Sequence, residues 1–173
     1  MQKSLLFISV LSFCLLSCKK EPDVAFDSKA FAYNKKQWEQ LNIKNYSFEY
    51  QWGGFGFVVP CTIVVRDSKI QDMIPKDERY SDYVKLHTES YMTIDDIFKV
   101  IENAFNNPTY YGVDKNSQWY YNEILVEYDK TYFYPKFVAF NYKGKLGITD
   151  TDYSYSITNL AVHTKKCRSK ITF

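Results

Sequence analysis

Aromatic and polar residues alternate most clearly between positions 46 and 52 of this chain. The aromatic positions are Tyr46, Phe48, Tyr50 and Trp52, and the polar residues between them are Ser47, Glu49 and Gln51. Because successive side chains of a strand point to opposite faces, this spacing predicts a half-buried strand with its aromatic face in the core. Glycines at 53, 54 and 56 then lead into a second predicted strand, 61–65, so we expect a hairpin. The segment 69–74 can extend this meander before Pro75 and a polar loop.

Apolar residues at spacings of three, four and seven predict two helices. The first is capped by Asp27 or Ser28 and runs to about Leu41, with Phe31, Trp38 and Leu41 on one face. The second follows a capping box of Thr93 and Asp96 and ends at 106–108. Its apolar stripe consists of Ile94, Ile97, Phe98, Ile101, Ala104 and Phe105.

The second half of the chain predicts three more strands. Alternation marks them at 123–128, at 138–142 after the Tyr134-Pro135 corner, and from Tyr153 onward. The apolar phase of the last strand shifts near Thr158-Asn159, which predicts a β-bulge. Short hairpin connections favour antiparallel pairing, so the expected fold class is α+β: a mainly antiparallel sheet of about five strands with two helices packed on one face.

The first twenty residues have the layout of a secretory signal. Lys3 precedes an apolar stretch that ends at Ser17-Cys18 and is followed at once by Lys19 and Lys20. This stretch is shorter than the ~20 apolar residues that a membrane-spanning helix needs. The segment Leu15-Leu16-Ser17-Cys18 resembles the lipobox of bacterial lipoproteins, which implies that Cys18 receives a diacylglycerol and becomes the N-terminus. The alternative is an ordinary signal peptide in which this cysteine is incidental.

These signals divide the chain into four parts. We expect a lipoprotein signal peptide at 1–17, a tether at 18–26, a single α+β domain at 27–164 and a basic tail at 165–173. The protein would then be exported and lipid-anchored to a bacterial membrane, facing the periplasm or the cell surface. The tail carries Lys165, Lys166, Arg168 and Lys170, and is either a solvated terminus or a contact for anionic headgroups or glycans. A net charge of +2 without a concentrated basic stripe argues against a nucleic-acid partner.

Four cysteines are present, of which Cys14 belongs to the signal and Cys18 to the lipid anchor. Cys61 and Cys167 remain in the mature chain. Either they form a disulfide, or Cys61 is a buried thiol and Cys167 is a free thiol in the tail. The chain has only two histidines and no CxxC or HExxH motif, so we expect no metal site and no cofactor.

Acidic pairs occur at 77–78, at 95–96 and at 150 and 152. Paired carboxylates catalyse glycoside hydrolysis only when they face each other across a cleft and burial raises one pKa. We expect instead that Asp95 and Asp96 stabilise the first turn of a helix. For Asp150-Thr151-Asp152 a solvated turn is preferred over a calcium site.

Aromatic residues are unusually frequent, with 16 Tyr, 13 Phe and 3 Trp making up 18% of the chain. One small core does not need so many rings, since each buries about 150 to 250 Å². Two segments on either side of the second predicted helix therefore form a candidate recognition surface. Its residues are Tyr80, Tyr83, Tyr91, Tyr110, Tyr111, Trp119, Tyr120 and Tyr121. The alternative is that these rings fill the faces and edges of the sheet with their hydroxyls in water.

Several segments, taken in order, resemble the domain of unknown function 6174 family, whose members are small exported bacterial proteins that often carry a lipobox. The matching segments are WEQLNIKNYSFEY from Trp38, TIVVRDSKI, TIDDIFKVIENAF, EILVEYD, the Tyr134-Pro135 step, FVAFNYKGK and DTDYSYSITNL, covering roughly 36–160. The resemblance implies no activity and no functional residues. The chain departs from the pattern in two places: Cys61 stands alone where a cysteine pair is expected, and Phe133 replaces a glycine.

Three classes of function remain. A non-catalytic binding or interaction module of the cell envelope is favoured, with the membrane as a partner through the lipid anchor and an envelope protein or glycan as ligand. A structural protein of envelope assembly comes second. An extracytoplasmic hydrolase comes third, because the sequence displays no nucleophile and base pair.

Overall fold

A computed structural model of the chain describes residues 24–53, 58–107, 109–111, 118–144 and 153–163. The predicted signal peptide, Cys18, the first part of the tether, Asp150 to Asp152 and the basic tail with Cys167 lie outside the described residues.

The described residues form three α-helices and seven strands. The helices are α1 (Ser28–Leu41), α2 (Ser81–Leu86) and α3 (Ile94–Asn106). The strands are β1 (Tyr46–Gly53), β2 (Cys61–Arg66), β3 (Lys69–Pro75), β4 (Thr109–Tyr111), β5 (Gln118–Tyr128), β6 (Pro135–Gly144) and β7 (Tyr153–Val162). Short 3-10 helices at Glu78–Tyr80 and Thr88–Ser90 flank α2.

All these strands form one antiparallel sheet in the order β3-β2-β1-β7-β6-β5-β4. Two meanders, β1 to β3 and β4 to β7, meet where β1 pairs with β7. Because β3 and β4 are the two edges, the chain between them must cross the whole sheet. It does so through α2, which contacts β3, and α3, which contacts β5 and β6.

The expected α+β class and antiparallel pairing are confirmed, but the sheet is larger than about five strands and a third α-helix is present. The sequence indicated β3 only as a possible extension of the first meander, and the structure shows that it is an edge strand. β4 has only 3 residues, which are too few to show a periodicity. The helix α2 replaces part of the predicted polar loop. It spans 6 residues and is held by Val84, which is buried in the core.

The core lies between one face of the sheet and the helices. Tyr46, Phe48 and Tyr50 are buried, which confirms the predicted inward face of β1. Trp38 of α1 packs edge-on against Tyr46, with ring centroids 5.6 Å apart. The backbone N–H of Ile94 at the start of α3 donates to Tyr46 Oη at 3.2 Å, so both helices cover the same face.

Two helix residues expected on the packed faces are more exposed than predicted. Leu41 is 42% exposed, because it ends α1 and the next residue, Asn42, turns the chain in the left-handed region with φ 48°. Phe105 is 38% exposed in the last turn of α3, and its ring contacts Phe26 at 4.8 Å between centroids.

The predicted caps and bulge are present. Asp27 caps α1 by accepting a hydrogen bond from Ala30 N at 2.9 Å, and Thr93 and Asp96 form the capping box of α3. In the β1–β7 ladder, the register shifts between Ser47 and Glu49, opposite Asn159, which has φ 55°. Between these pairs β7 has two residues and β1 has one, so β7 forms the expected bulge.

Candidate functional site

The eight aromatic residues predicted to form a recognition surface do not lie together. The segment with Tyr80, Tyr83 and Tyr91 follows β3 at one edge of the sheet, whereas β4 and the first part of β5 lie at the opposite edge. In the second segment, Tyr110 pairs with Trp119 and Thr109 with Tyr120, while Tyr111 pairs with Gln118 and Tyr121 with Tyr142 of β6. β4 and β5 therefore pair with each other, and the two segments lie at opposite edges of the sheet and build no single surface. The predicted turn at Gly112 lies outside the described residues.

Tyr91 belongs to the core and does not form part of a surface. It is 4% exposed, its hydroxyl donates to Val59 O at 3.1 Å, and its ring packs edge-on against Tyr50. Tyr80 and Tyr83 are partly buried and pack against the core, and the Tyr83 ring also contacts His87 at 4.3 Å. The rings of this segment therefore contribute to the core. The alternative, in which the hydroxyls lie in water, does not describe Tyr91, whose hydroxyl is bound to Val59 O.

The described acidic pairs are used in local structure. Asp95 Oδ1 accepts from the Trp38 indole at 2.7 Å, and Asp96 takes part in the capping box and an ion pair with Lys99. Desolvation acts to raise the pKa of Asp96, but hydrogen bonds from Lys99 and Thr93 outweigh it and hold that pKa below its usual range. Hydrogen bonds from Arg79 likewise lower the pKa of Asp77. Neither carboxyl has the raised pKa that a general acid needs.

Cys61 is a buried cysteine with a free thiol. Burial raises its pKa, and a hydrogen bond with Tyr91 opposes that shift only in part. A thiol of raised pKa is a poor nucleophile at neutral pH. Its predicted alternative, a disulfide with Cys167, involves a residue outside the described ones.

A first cavity, of about 340 Å³, lies where α1, the β2–β3 turn and the end of β7 meet. Its lining residues are Leu41, Asn42, Ile43, Lys44, Asn45, Asp67, Val162 and His163. His163 Nε2 lies 3.0 Å from Ser47 Oγ, the nearest arrangement to a nucleophile and base among the described residues. Ser47, however, does not line the cavity, so a molecule bound there would not meet the hydroxyl.

A second cavity, of about 280 Å³, lies between the start of α1 and the edge of β5, and we call it the β5-edge groove. Its lining residues are Ala25, Phe26, Asp27, Ala30, Glu123, Ile124, Leu125, Val126 and Tyr128. Ala25 forms a parallel bridge with Glu123, and Ile124 N donates to Ala25 O at 2.9 Å. The segment before α1 thus briefly pairs with β5 as an additional strand.

This pairing ends after a single bridge because the chain turns into α1. Phe26 packs against Phe31, with ring centroids 5.4 Å apart, on either side of the Asp27 cap. Such a hydrophobic staple fixes the direction in which a chain enters its helix. In the described part of the chain, no strand pairs with the outer edge of β5 beyond Ile124.

Polar groups in the β5-edge groove are one hydroxyl and two carboxylates. The Tyr128 hydroxyl is buried and has no hydrogen-bond partner among the described residues, and burial raises its pKa, with a smaller contribution from the charge of Asp27. Asp27 uses Oδ1 for the helix cap, and Glu123 Oε2 accepts from Asn141 Nδ2 at 2.6 Å. Among the described residues that line the groove, none has a cationic side chain.

The sequence model of a family described as "Family of unknown function (DUF6174)" matches residues 30–162. This match runs from α1 to the end of β7 and covers about three quarters of the chain. The chain belongs to the DUF6174 family. No curated protein and no solved structure matches it.

The family match places the β5-edge groove in this DUF6174 protein at the border of the shared domain. Its β5 wall lies within the matched residues, whereas Ala25, Phe26 and Asp27 precede them. In the part of the DUF6174 chain that the structure describes, no helix is long and apolar enough to cross a membrane. Nor do three or more His, Cys, Asp or Glu side chains of those residues form a group that could hold a metal ion.

Proposed function

We propose that this DUF6174 protein is a lipid-anchored, non-catalytic binding module of the bacterial cell envelope, and that the β5-edge groove is its binding site. The observation that carries this proposal is the incomplete pairing at β5. Ala25 forms one bridge, and the strand edge beyond it lines an open cavity. Concave sites with few polar groups and unused hydrogen-bonding capacity are typical of binding sites.

The groove would lie close to the membrane surface if Cys18 is lipidated. Val24, the first described residue, is six positions after Cys18, and an extended chain spans at most ~3.6 Å per residue. The lipid therefore keeps this side of the domain within about 20 Å of the bilayer. A ligand of the groove would accordingly be another component of the membrane surface or the adjacent envelope.

A hydrolase is less well supported by the same geometry. Ser47 and His163 are hydrogen-bonded, but only His163 lines a cavity. The described acidic side chains whose pKa is shifted by local contacts are more acidic than usual, opposite to the shift that a general acid requires.

The experiment places a photo-crosslinking amino acid at Leu125 or at Ile74 of the full-length precursor in cells. Leu125 is 47% exposed and lines the groove, while Ile74 is 51% exposed on β3 at the opposite edge. We expect discrete adducts in the membrane fraction from position 125 and none of the same size from position 74. The same adducts from both positions, or no adducts from position 125, would show that the groove is not the binding site.

A further inference from the structure

We infer that the β5-edge groove binds an extended peptide segment that pairs with β5 at Val126 and places a Lys or Arg side chain beside Asp27. This inference rests on the proposed function, because it names the chemical class of ligand for the same groove. It follows from three features of the groove, namely its backbone edge, its contrast with the other edge of the sheet, and its charge.

The backbone edge offers hydrogen bonds that a peptide can complete. Ile124 N points away from β6, since it donates to Ala25 O. Alternate residues of a strand present their backbone groups to the same side, so the N–H and C=O of Val126 also face the groove. In an added parallel strand, one residue can donate to the C=O of Ile124 and accept from the N–H of Val126, as Ala25 pairs one step earlier. The residue two positions further along that strand can donate to the C=O of Val126.

The two edges of the sheet differ in how they resist such pairing. β3 begins with a lysine, ends at Pro75 and has a register shift opposite Val64 and Val65. Charged residues, proline and bulges are the features that keep exposed edges from pairing with other chains. The open stretch of β5, Ile124 to Tyr128, contains no proline and mostly apolar residues of high strand propensity. The protected edge is therefore β3, and the edge left suited to a ligand is β5.

The charge of the groove selects among peptides. The described part of its lining contains the carboxylates of Asp27 and Glu123 and no cationic side chain. A Lys or Arg on the ligand would therefore be attracted to it.

The test begins with the mature lipidated chain, purified in detergent, and a displayed library of random octapeptides. The tightest peptide is then resynthesised with a single N-methyl group at each position in turn, and its Kd is measured by fluorescence anisotropy. We expect weakening by about fivefold or more at alternate positions, because each such N-methyl group removes a donor to β5. We also expect the enriched peptides to carry Lys or Arg.

Variants of the protein test the same backbone hydrogen bonds by changing β5 instead of the peptide. Val126→Pro removes the outward N–H, which β5 does not use for pairing with β6, whereas Val126→Ala keeps that N–H and shortens the same side chain. The proline variant should bind the peptide at least about fivefold more weakly than the alanine variant.

A second variant tests the charge. Asp27→Asn keeps a good N-cap but removes the negative charge. It should weaken the binding of a Lys-containing peptide about threefold at low salt, without weakening the binding of the norleucine analogue of that peptide.

The outcomes separate this inference from the proposed function. An N-methyl scan without a two-residue period would overturn strand pairing, whether or not Val126→Pro folds. If no peptide is enriched while position 125 still forms adducts, the groove is a binding site for another class of ligand and the peptide inference is wrong. If the adducts are absent as well, both proposals fail.

Discussion

The indole nitrogen of Trp38 donates to Asp95 Oδ1 across 2.7 Å and so connects α1 with the first turn of α3. Trp38 is only 2% exposed, and its ring also packs against Tyr46 and Tyr134. The Trp38 side chain thus fixes α1 relative to α3, because it fills the core and donates a hydrogen bond to the Asp95 carboxylate.

Replacing Trp38 with Phe should lower the free energy of unfolding by about 2 to 4 kcal/mol, because it removes a charge-assisted hydrogen bond and leaves a small cavity. Asp95→Asn keeps an acceptor oxygen at the same place and should cost only about 1 kcal/mol. Urea unfolding followed by far-UV circular dichroism measures both values. If both variants lose the same free energy of unfolding, the packing of the Trp38 ring contributes nothing beyond its hydrogen bond to the charged Asp95 carboxylate.

Strong alkali should unfold the protein through its buried tyrosines. Burial raises the pKa of Tyr46 and Tyr50 well above the usual value, and the charge of Asp95 adds to the shift for Tyr46. Because the unfolded chain ionises near pH 10, their contribution to stability is complete below that pH and is lost as the pH rises toward their folded pKa values. Tyrosinate absorbance at 295 nm should therefore rise in two steps, the second together with loss of circular dichroism.

Tyr46→Phe is the matched variant for the alkaline transition. It should make the alkaline loss of stability less steep, because one shifted group is gone. At neutral pH it should cost about 1 to 3 kcal/mol, because the buried N–H of Ile94 loses its acceptor. An unchanged alkaline slope would assign the transition to other groups.

Phe133 adopts φ 62°, a backbone conformation that favours glycine, at the position where the family resemblance led us to expect one. Its ring contacts Tyr33 edge-on, with centroids 6.2 Å apart, and Tyr33 is itself 57% exposed. Phe133→Gly should therefore be more stable than Phe133→Ala by about 1 kcal/mol, since both lose the ring contact and only glycine relieves the backbone. Thermal unfolding midpoints compare the two. A more stable alanine variant would show that the backbone at 133 is not strained.

Lipid attachment at Cys18 is tested by metabolic labelling with a clickable palmitate analogue. Cys18→Ala should abolish the label and release the protein from the membrane pellet. Cys14→Ala, four residues earlier in the same apolar stretch, should keep both the label and the membrane association. Persistent labelling of the Cys18→Ala variant would contradict a lipid on that residue.

Local patterns in the sequence were sufficient for the long elements. The period of two from Tyr46 to Trp52 predicted β1 with the correct inward face, and the Thr93–Asp96 capping box predicted the start of α3. Such signals depend on neighbouring residues alone, and they succeed where one face of a long element is buried. They fail for β4 and α2, which are too short for a periodicity and are fixed by β5 and by Val84, respectively.

The candidate sites depended on contacts between distant segments, and the sequence could not supply these. Tyr91 is buried because its segment returns over β1 and β2, where it meets Tyr50 and Val59. The β5-edge groove exists because Ala25 meets Glu123 across about a hundred residues of chain. Its one local signal was Phe26 and Phe31 on either side of Asp27, a staple that fixes how α1 begins.

The pairing of β1 with β7 determines when the described sheet can be completed during synthesis. Of the described strands, β1 leaves the ribosome first and β7 last, yet they are neighbours in the middle of the sheet. Until β7 is available, the two meanders can form only separately, each with an exposed strand edge at β1 or β6, and such edges recruit other chains. A nascent chain therefore cannot complete this sheet before the residues of β7 have been synthesised. The same topology makes a chain that ends before residue 153 a source of aggregation rather than a smaller working domain.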